Sequence, residues 1–475
     1  MNKQTFGVIV TTRSFFPSHL VETARQEILS LLKKLGHNYV IVNESETNFG
    51  AVMTLGDAKV CAELFASRKK DITGIIVVLP NFGDELGVTE AIERAGLNVP
   101  ILIQACSDEM EKLGMATRRD AFCGKISLCN NLRQRGIPFS LTSKHTCKID
   151  SHDFEKDLTK FASICNVVTG LYGSRIAMLG ARPNAFNTVR FSEKILQRYG
   201  ISVQTVDLSE VMSAANQGDL FDEATITAKE AEITAYGKIP ENIGKEKITK
   251  QAKLCLAMEK FVTDLECDAS TVQCWDSLEN NYGCAACLGM SMMGEKGKPS
   301  ACESDVTGAV SMLIAQLAAG SPPALMDWNN NVDDDNSCIT LHCSNFPKSF
   351  FGTNDIEISC LDVLGSVLGE ENTFGACKAQ VAEGPMTFLR VTTDDTNGRI
   401  IMYVGEGFFE KTHVPTKGGV AYCNIPYLQE LMQFICMSGF EHHVCFVRGH
   451  VADIVYEAMT KYFRVEAYKH VLPRK

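Results

Sequence analysis

Basic clusters, long apolar runs and glycine-rich nucleotide loops are all missing from this chain of 475 residues. The formal net charge is -11 and no Lys/Arg run stands out. Without clustered cations to hold a phosphate backbone, no nucleic-acid partner is expected. No stretch approaches the roughly 18 apolar residues that a membrane helix needs. The first residues, Met-Asn-Lys-Gln-Thr-Phe-Gly-Val-Ile-Val, enter a strand at once and lack the apolar core of a signal peptide. The expectation is therefore a cytoplasmic protein with no membrane partner. No G-x-G-x-x-G follows a strand, and there is no G-x-x-x-x-G-K-[ST] or G-x-S-x-G. Dinucleotide, P-loop and serine-hydrolase chemistry are disfavoured. Internal repeats and low-complexity stretches are absent too.

What is present is an ordinary globular composition, 45% hydrophobic and 22% charged. The length allows two to four domains. Nineteen cysteines is a high count. Many sit in apolar runs, such as Cys61, Cys360 and Cys445, where a thiol acts as a small core residue. Free thiols are expected rather than disulfides. Cys284 and Cys287 form a lone C-x-x-C, with no second pair at zinc-finger spacing.

The first part of the chain alternates apolar strands with amphipathic helices. Strands are predicted over Phe6–Thr12, Tyr39–Asn43, Thr73–Pro80 and Pro100–Ala105. Continuous Val/Ile/Leu runs bounded by turns suit parallel strands covered on both faces. A second α/β unit begins near Gly170, with strands at Ser174–Ala181, Ile201–Asp207 and Ser270–Trp275. Beyond about residue 335 short strands dominate, and Asp395-Thr396-Asn397-Gly398 between β-rich flanks marks a hairpin. The expected fold class is α/β: two doubly wound α/β domains, residues 1–168 and 169–320, followed by a C-terminal domain, residues 321–475, with an antiparallel β-barrel and helices.

Three residues stand where a strand meets a loop or a helix opens. Glu303 lies in Ala-Cys-Glu-Ser-Asp-Val-Thr-Gly-Ala, Asp327 in Ala-Leu-Met-Asp-Trp, and His442 in Gly-Phe-Glu-His-His-Val. Two carboxylates and an imidazole form a mixed oxygen/nitrogen set that suits manganese or magnesium, with positions left for a substrate. Each has a plainer reading. Glu303 can be a capping glutamate at a helix dipole, because Ser304, Asp305 and Thr307 are capping-type residues before an apolar helix. Asp327 can start a turn. His442 and His443 are adjacent, and adjacent strand residues point to opposite faces, so at most one is expected to face a given site. His342, in Thr-Leu-His-Cys-Ser-Asn, is a further ligand candidate at a strand end.

Together these segments resemble the L-fucose isomerases. The resemblance rests on Glu303 and Asp327, 24 positions apart, and on the ending Gly-Phe-Glu-His442-His443-Val-Cys-Phe-Val-Arg-Gly-His450-Val-Ala-Asp. The related L-arabinose isomerases share the architecture. The resemblance implies manganese, or another divalent cation, held by Glu303, Asp327 and His442, with Glu303 and Asp327 also the catalytic acid/base pair. His342 stands second as a further ligand, and Gln273, in Val-Gln-Cys-Trp, resembles a substrate-contacting glutamine. It implies isomerisation of an open-chain aldose to a ketose through an ene-diol, on L-fucose or a similar deoxyhexose or pentose. It also implies a homo-oligomer, a trimer or hexamer, whose sites are completed by a neighbouring subunit's first domain. The interval from Asp327 to His442 is shorter than in typical bacterial fucose isomerases, and Pro80-Asn81-Phe82-Gly83 lacks an expected tryptophan. The reaction type therefore transfers further than the sugar. The alternatives are an isomerase or epimerase of another sugar on the same scaffold, and a non-catalytic sugar-binding protein.

Overall fold

The computed structural model describes residues 3–470, which divide into two compact units. One takes the chain up to Thr169 together with Glu457–Arg464; the other takes Gly170–Tyr456 and the chain from Val465.

The first unit is built on a parallel sheet of β1 (Thr5–Val10), β2 (Asn38–Ile41), β3 (Gly74–Leu79), β4 (Ile101–Ala105) and β5 (Ser140–Leu141), in the order β2-β1-β3-β4-β5. Helices link the strands. All six residues of β3 are buried, because helices cover both faces and leave neither for water. Separate apolar clusters fill the two sides. Ile75, Val77, Ile101 and Ile103 belong to one, and Phe6, Val8, Ile76 and Val78 to the other.

The second unit holds two sheets among its described residues. The smaller is parallel, with β6 (Arg175–Leu179), β7 (Ser202–Val206), β8 (Ala269–Val272) and β9 (Ser300–Ala301) in the order β7-β6-β8-β9. The larger contains β10 (Ala324–Asn331), β11 (Ser337–His342), β12 (Glu357–Cys360), β13 (Phe374–Gln380), β14 (Gly384–Asp394), β15 (Arg399–Glu410), β16 (Gly419–Asn424), β17 (His443–Arg448) and β18 (Glu466–Lys469). Its order is β12-β13-β16-β11-β10-β17-β14-β15-β18.

The expected hairpin is present: β14 and β15 pair antiparallel from Gly384↔Phe409 to Asp394↔Arg399, closed by the turn containing Asn397-Gly398. Asn397 donates its backbone N–H to Asp394 Oδ1 at 3.1 Å, and Gly398 has φ +65°. The larger sheet is mixed, where an antiparallel barrel was expected. β13 pairs parallel with β16, and β15 with β18. Such pairs need a crossover connection, which local alternation does not reveal. β16 also pairs with β15, so the ladders β16-β11-β10-β17-β14-β15 form a closed circuit.

The helix Val306–Ala319 is apolar nearly all round and buried along most of its length. Ser311 in this helix receives the backbone N–H of Val391 in β14 at 2.9 Å. The helix that follows Glu303 is thereby fastened to the strand that carries Arg390. The core of the larger sheet is aromatic, with Phe388, Phe446, Phe409 and Tyr403 buried together. Phe388 lies 6.3 Å ring to ring from Phe446 and 5.7 Å from Trp328. Truncating Phe388 to Ala should leave a cavity that this interlocked cluster cannot close. The expected loss is about 3–5 kcal/mol, read as a lower denaturant midpoint than wild type; an unchanged midpoint would contradict this packing.

Candidate functional site

Strand ends of both sheets in the second unit bring the titratable residues together. Glu303 follows β9 with φ +55°, and Ser304 repeats that value. Two consecutive non-glycine residues in the left-handed region cost of order 1–3 kcal/mol each and persist only where the surroundings enforce them. Asp305 then caps the helix Val306–Ala319 by accepting the Gly308 N–H at 2.8 Å. The tight turn sends Glu303 and Asp305 into the same buried region. Asp327 lies in β10 directly opposite His443 of β17 in an antiparallel ladder, and His342 ends β11.

The His443 imidazole stands between the two carboxylates. Its Nε2 lies 3.6 Å from Glu303 Oε2 and 3.4 Å from Asp327 Oδ1. His342 Nε2 is 3.5 Å from the same Glu303 oxygen. His442 Nε2 lies 3.6 Å from Asp327 Oδ1, and its ring is 4.8 Å from that of His443. The adjacent histidines do not divide between two faces, because His442 precedes the first residue of β17 and escapes strand alternation. His443 and His342 are buried, whereas the His442 side chain is 43% exposed.

Gln273 is not among these donors. Its Oε1 accepts the backbone N–H of Ala181 at 2.8 Å, so it fastens the loop after β6. Gly180, with φ +90°, is needed there: a Cβ would lie 2.7 Å from the Gln273 side chain. The loop brings Phe186 over the site, 5.3 Å from the His442 ring, 5.5 Å from His443 and 5.6 Å from Trp275. Sequence reading missed Phe186, since a phenylalanine in a polar loop carries no periodic signal. Asn329, Asn330 and Asn331, next in sequence to the site, continue β10 with exposed side chains.

Electrostatics follow from burial. Burial raises the Glu303 pKa, but His342 and then His443 more than offset it, bringing the carboxyl down to about 2. Burial lowers the His342 pKa, and Glu303 followed by Asp327 reverses this, lifting it to about 9. His442 is lowered, first by burial and then by the neighbouring His443. Trp275 Nε1 donates to Glu303 Oε1 at 2.9 Å and the Cys274 thiol approaches the same oxygen at 3.5 Å. Glu303 Oε2, by contrast, has no hydrogen bond, nor has Asp327 Oδ1.

These atoms form two overlapping groups that could hold a divalent cation, one around Glu303 Oε2 and one around Asp327 Oδ1, with His443 common to both. Donors sharing a small ion lie roughly 3 Å apart, and separations of 3.4–3.6 Å are too long for good hydrogen bonds but close to that spacing. Glu303, His342 and His443 form one group whose ligand atoms lie within 4.8 Å of one another, and Asp327, His442 and His443 form another. His443 belongs to both. Cys274, Cys302 and Glu303 make a third such group. All nineteen cysteines, Cys284 and Cys287 included, are free thiols. No helix among the described residues is long and apolar enough to cross a membrane.

Comparison with known proteins places two parts of the chain in one family. Residues 7–172 match the N-terminal domain of fucose/sulfoquinovose isomerase, and residues 340–470 match the L-fucose isomerase C-terminal domain. A sulfoquinovose isomerase of Alkalicoccus urumqiensis is 23% identical over 381 residues, 79% of this chain and 81% of its own. One from Priestia aryabhattai is 25% identical over 352 residues, covering 73% and 75%. Among solved structures, a periplasmic solute-binding protein of Actinobacillus succinogenes with bound D-allose is 13% identical. It spans 66% of this chain and 92% of its own with a TM-score of 0.17, too low to bear on fold or function.

The two shifted groups predict a pH window for protein stripped of divalent ions. His342, raised to about 9, contributes stability that is complete below about pH 6.5 and lost as pH rises through 9. Glu303, depressed to about 2, contributes stability that is complete above about pH 4.5 and lost as pH falls toward 2. The thermal midpoint in chelator should therefore fall between pH 6.5 and 9, and His342→Asn should flatten that fall. Parallel curves for the two proteins would contradict the pairing.

Proposed function

The chain belongs to the L-fucose isomerase family and is a sugar isomerase, an enzyme that interconverts aldoses and ketoses; from that premise we propose a divalent-metal-dependent isomerase whose substrate is sulfoquinovose, taken in its open-chain form through an ene-diol. The sulfonated sugar is suggested by the relatives' names, over about three quarters of the chain. The second reading is L-fucose, favoured by the C-terminal family match. The observation that carries the proposal is the convergence of the unbonded Glu303 and Asp327 oxygens on His443 Nε2.

In this reading Glu303, Asp327 and His443 would hold the ion, with His342 beside Glu303 and His442 beside Asp327. His442, expected as the imidazole ligand, lies near Asp327 and not near Glu303, in the group it shares with His443. Manganese suits the oxygen/nitrogen set. When bound, the cation supplies Lewis acidity that polarises the sugar's adjacent oxygens.

The protein's own groups do the rest. Isomerisation moves one proton between C1 and C2 and another between O1 and O2. Glu303 is ionised and oriented by the Trp275 N–H at Oε1, so its carboxylate is a fixed proton acceptor. Asp327 offers Oδ1 from the facing strand. One takes and returns the carbon-bound proton and the other serves the hydroxyl proton. Phe186 forms an apolar wall against the imidazoles and excludes water from that side. The closed circuit of six strands is read as the small barrel of the family, within a division at about residues 168 and 320. A cytoplasmic homo-oligomer, a trimer or hexamer, completes the proposal.

A manganese-supplemented turnover panel tests it, using sulfoquinovose, L-fucose, L-arabinose, D-arabinose and L-rhamnose. Sulfoquinovose should give the highest kcat/KM, and chelation should abolish turnover. Higher kcat/KM on L-fucose would replace the substrate and leave the reaction standing. Glu303→Gln removes a ligand charge and a proton acceptor together, so kcat should fall by about 10²–10⁴ or more. Full-rate turnover in chelator, or by that variant, would sink the mechanism.

A further inference from the structure

Behind His443 lies a buried ionic group that the reaction does not touch. Arg390, from β14, is wholly buried, a state that arginine tolerates only when paired. Its Nη1 and Nη2 donate to Asp305 Oδ2 and Oδ1 at 2.6 and 2.9 Å, a two-pronged pair of the strong kind. Nη2 also donates to Thr307 Oγ1 at 2.8 Å, and Nε to Glu441 Oε2 at 3.1 Å. Glu441 Oε1 takes the Thr392 hydroxyl. One guanidinium thus faces two carboxylates that are also buried.

Asp305 carries the consequence to the site. Its Oδ2, already paired with Arg390, lies 2.8 Å from His443 Nδ1. Its Oδ1 accepts Arg390 Nη2, the Gly308 N–H and the Thr307 hydroxyl. A carboxylate gripped this way by a guanidinium is ionised and can only accept hydrogen bonds. His443 Nδ1 must therefore be the donor, and in the neutral ring the lone pair sits on Nε2, the nitrogen facing Glu303 and Asp327.

We infer that Asp305 is a positioning residue which fixes His443 as the Nδ1–H tautomer, and that Arg390 and Glu441 hold Asp305 in place to do so. The ring orientation and the ligating lone pair are set before any ion or sugar arrives. The carboxylate also makes the ring a stronger donor to a cation. Three distant stretches of chain meet in this one device: the helix cap at Asp305, β14 at Arg390, and the Glu441–His443 corner. The tautomer follows from hydrogen-bond chemistry alone, whereas its use in ion binding rests on the metal-site reading above.

Two measurements on full-length protein test the inference. Histidine-selective ¹⁵N NMR of the metal-free wild type, at a pH where the ring is neutral and with His443 assigned by its loss in His443→Asn, should show a protonated Nδ1 and a bare Nε2. Manganese titration followed by electron paramagnetic resonance should show affinity lowered about 10–100-fold in Asp305→Asn, because an amide no longer dictates which nitrogen carries the proton. Glu441→Gln leaves the Asp305–His443 contact in place and should weaken binding by a smaller factor. Purely structural damage would instead lower the metal-free thermal midpoint without altering the tautomer of the folded fraction. A wild-type ring protonated at Nε2, or a folded Asp305→Asn with wild-type manganese affinity, overturns the inference. Should Asp305→Asn not fold, the wild-type tautomer and the Glu441→Gln titration still decide it. A wild type with the expected tautomer but no manganese binding would support Asp305's positioning role and remove the metal-site reading instead.

Discussion

Two carboxylates, Glu303 and Asp305, stand two positions apart in the chain and are both ionised inside a protein core. Burial alone would drive each toward its neutral form. Opposing cations prevent this, and they differ in kind. Asp305 is held well below the ordinary carboxylate range chiefly by the permanent charge of Arg390, with His443 adding to it. Glu303 is held low by imidazoles, whose charge depends on protons. The first arrangement is fixed at every physiological pH; the second changes with protons or with an incoming ion. The left-handed pair Glu303-Ser304 lets one short turn feed both, and the buried helix that Asp305 caps anchors that turn to β14.

Much of this architecture could be read from the chain. The Val/Ile runs of β1, β3 and β4 announce a sheet covered on both faces, and the Asn-Gly turn announces the β14–β15 hairpin. Glu303 and Asp327 stood out because each carboxylate lies where a helix opens or a strand meets a loop. Other parts were hidden for identifiable reasons. The parallel pairs β13–β16 and β15–β18 depend on crossovers between distant segments, which no local pattern encodes. Arg390 sits inside Thr-Phe-Leu-Arg-Val-Thr and looks like an outward-facing polar residue of a half-buried strand. Its burial is intelligible only once Asp305 and Glu441, 85 and 51 positions away, are in place. Asp305 itself was legible as a capping residue. It is one, and its second oxygen has a further use that a cap does not predict.

The histidine pair shows how a sound rule misleads at an element boundary. Alternation across a strand holds only within the strand, and β17 begins at His443. His442 lies just outside, where the backbone turns, so both rings reach toward Asp327. The distinction between them is not which face they take but what stands behind each. His443 is buried with a carboxylate on its rear nitrogen. His442 is half-exposed, its ring flanked by Phe186 and His443. A ring fixed from behind suits a site that must keep the same geometry through each turnover. A half-exposed ring suits contact with a ligand that enters and leaves.

The Phe186 loop completes this division of labour. Gln273 ties the start of the loop to the end of β8, two residues before Trp275, whose indole N–H grips Glu303. The aromatic wall and the glutamate therefore take their positions from the same strand end. That segment touches both the loop that carries the apolar cover and the glutamate. Catalytic geometry tolerates errors of well under 1 Å, so a segment bonded to both is a place where a small shift would be felt. It also gives Gln273 a reason to be a glutamine without any contact to sugar. Its carbonyl accepts a backbone N–H beside the site, where a charged side chain of the same length would add a further carboxylate to a region already holding Glu303, Asp305 and Asp327.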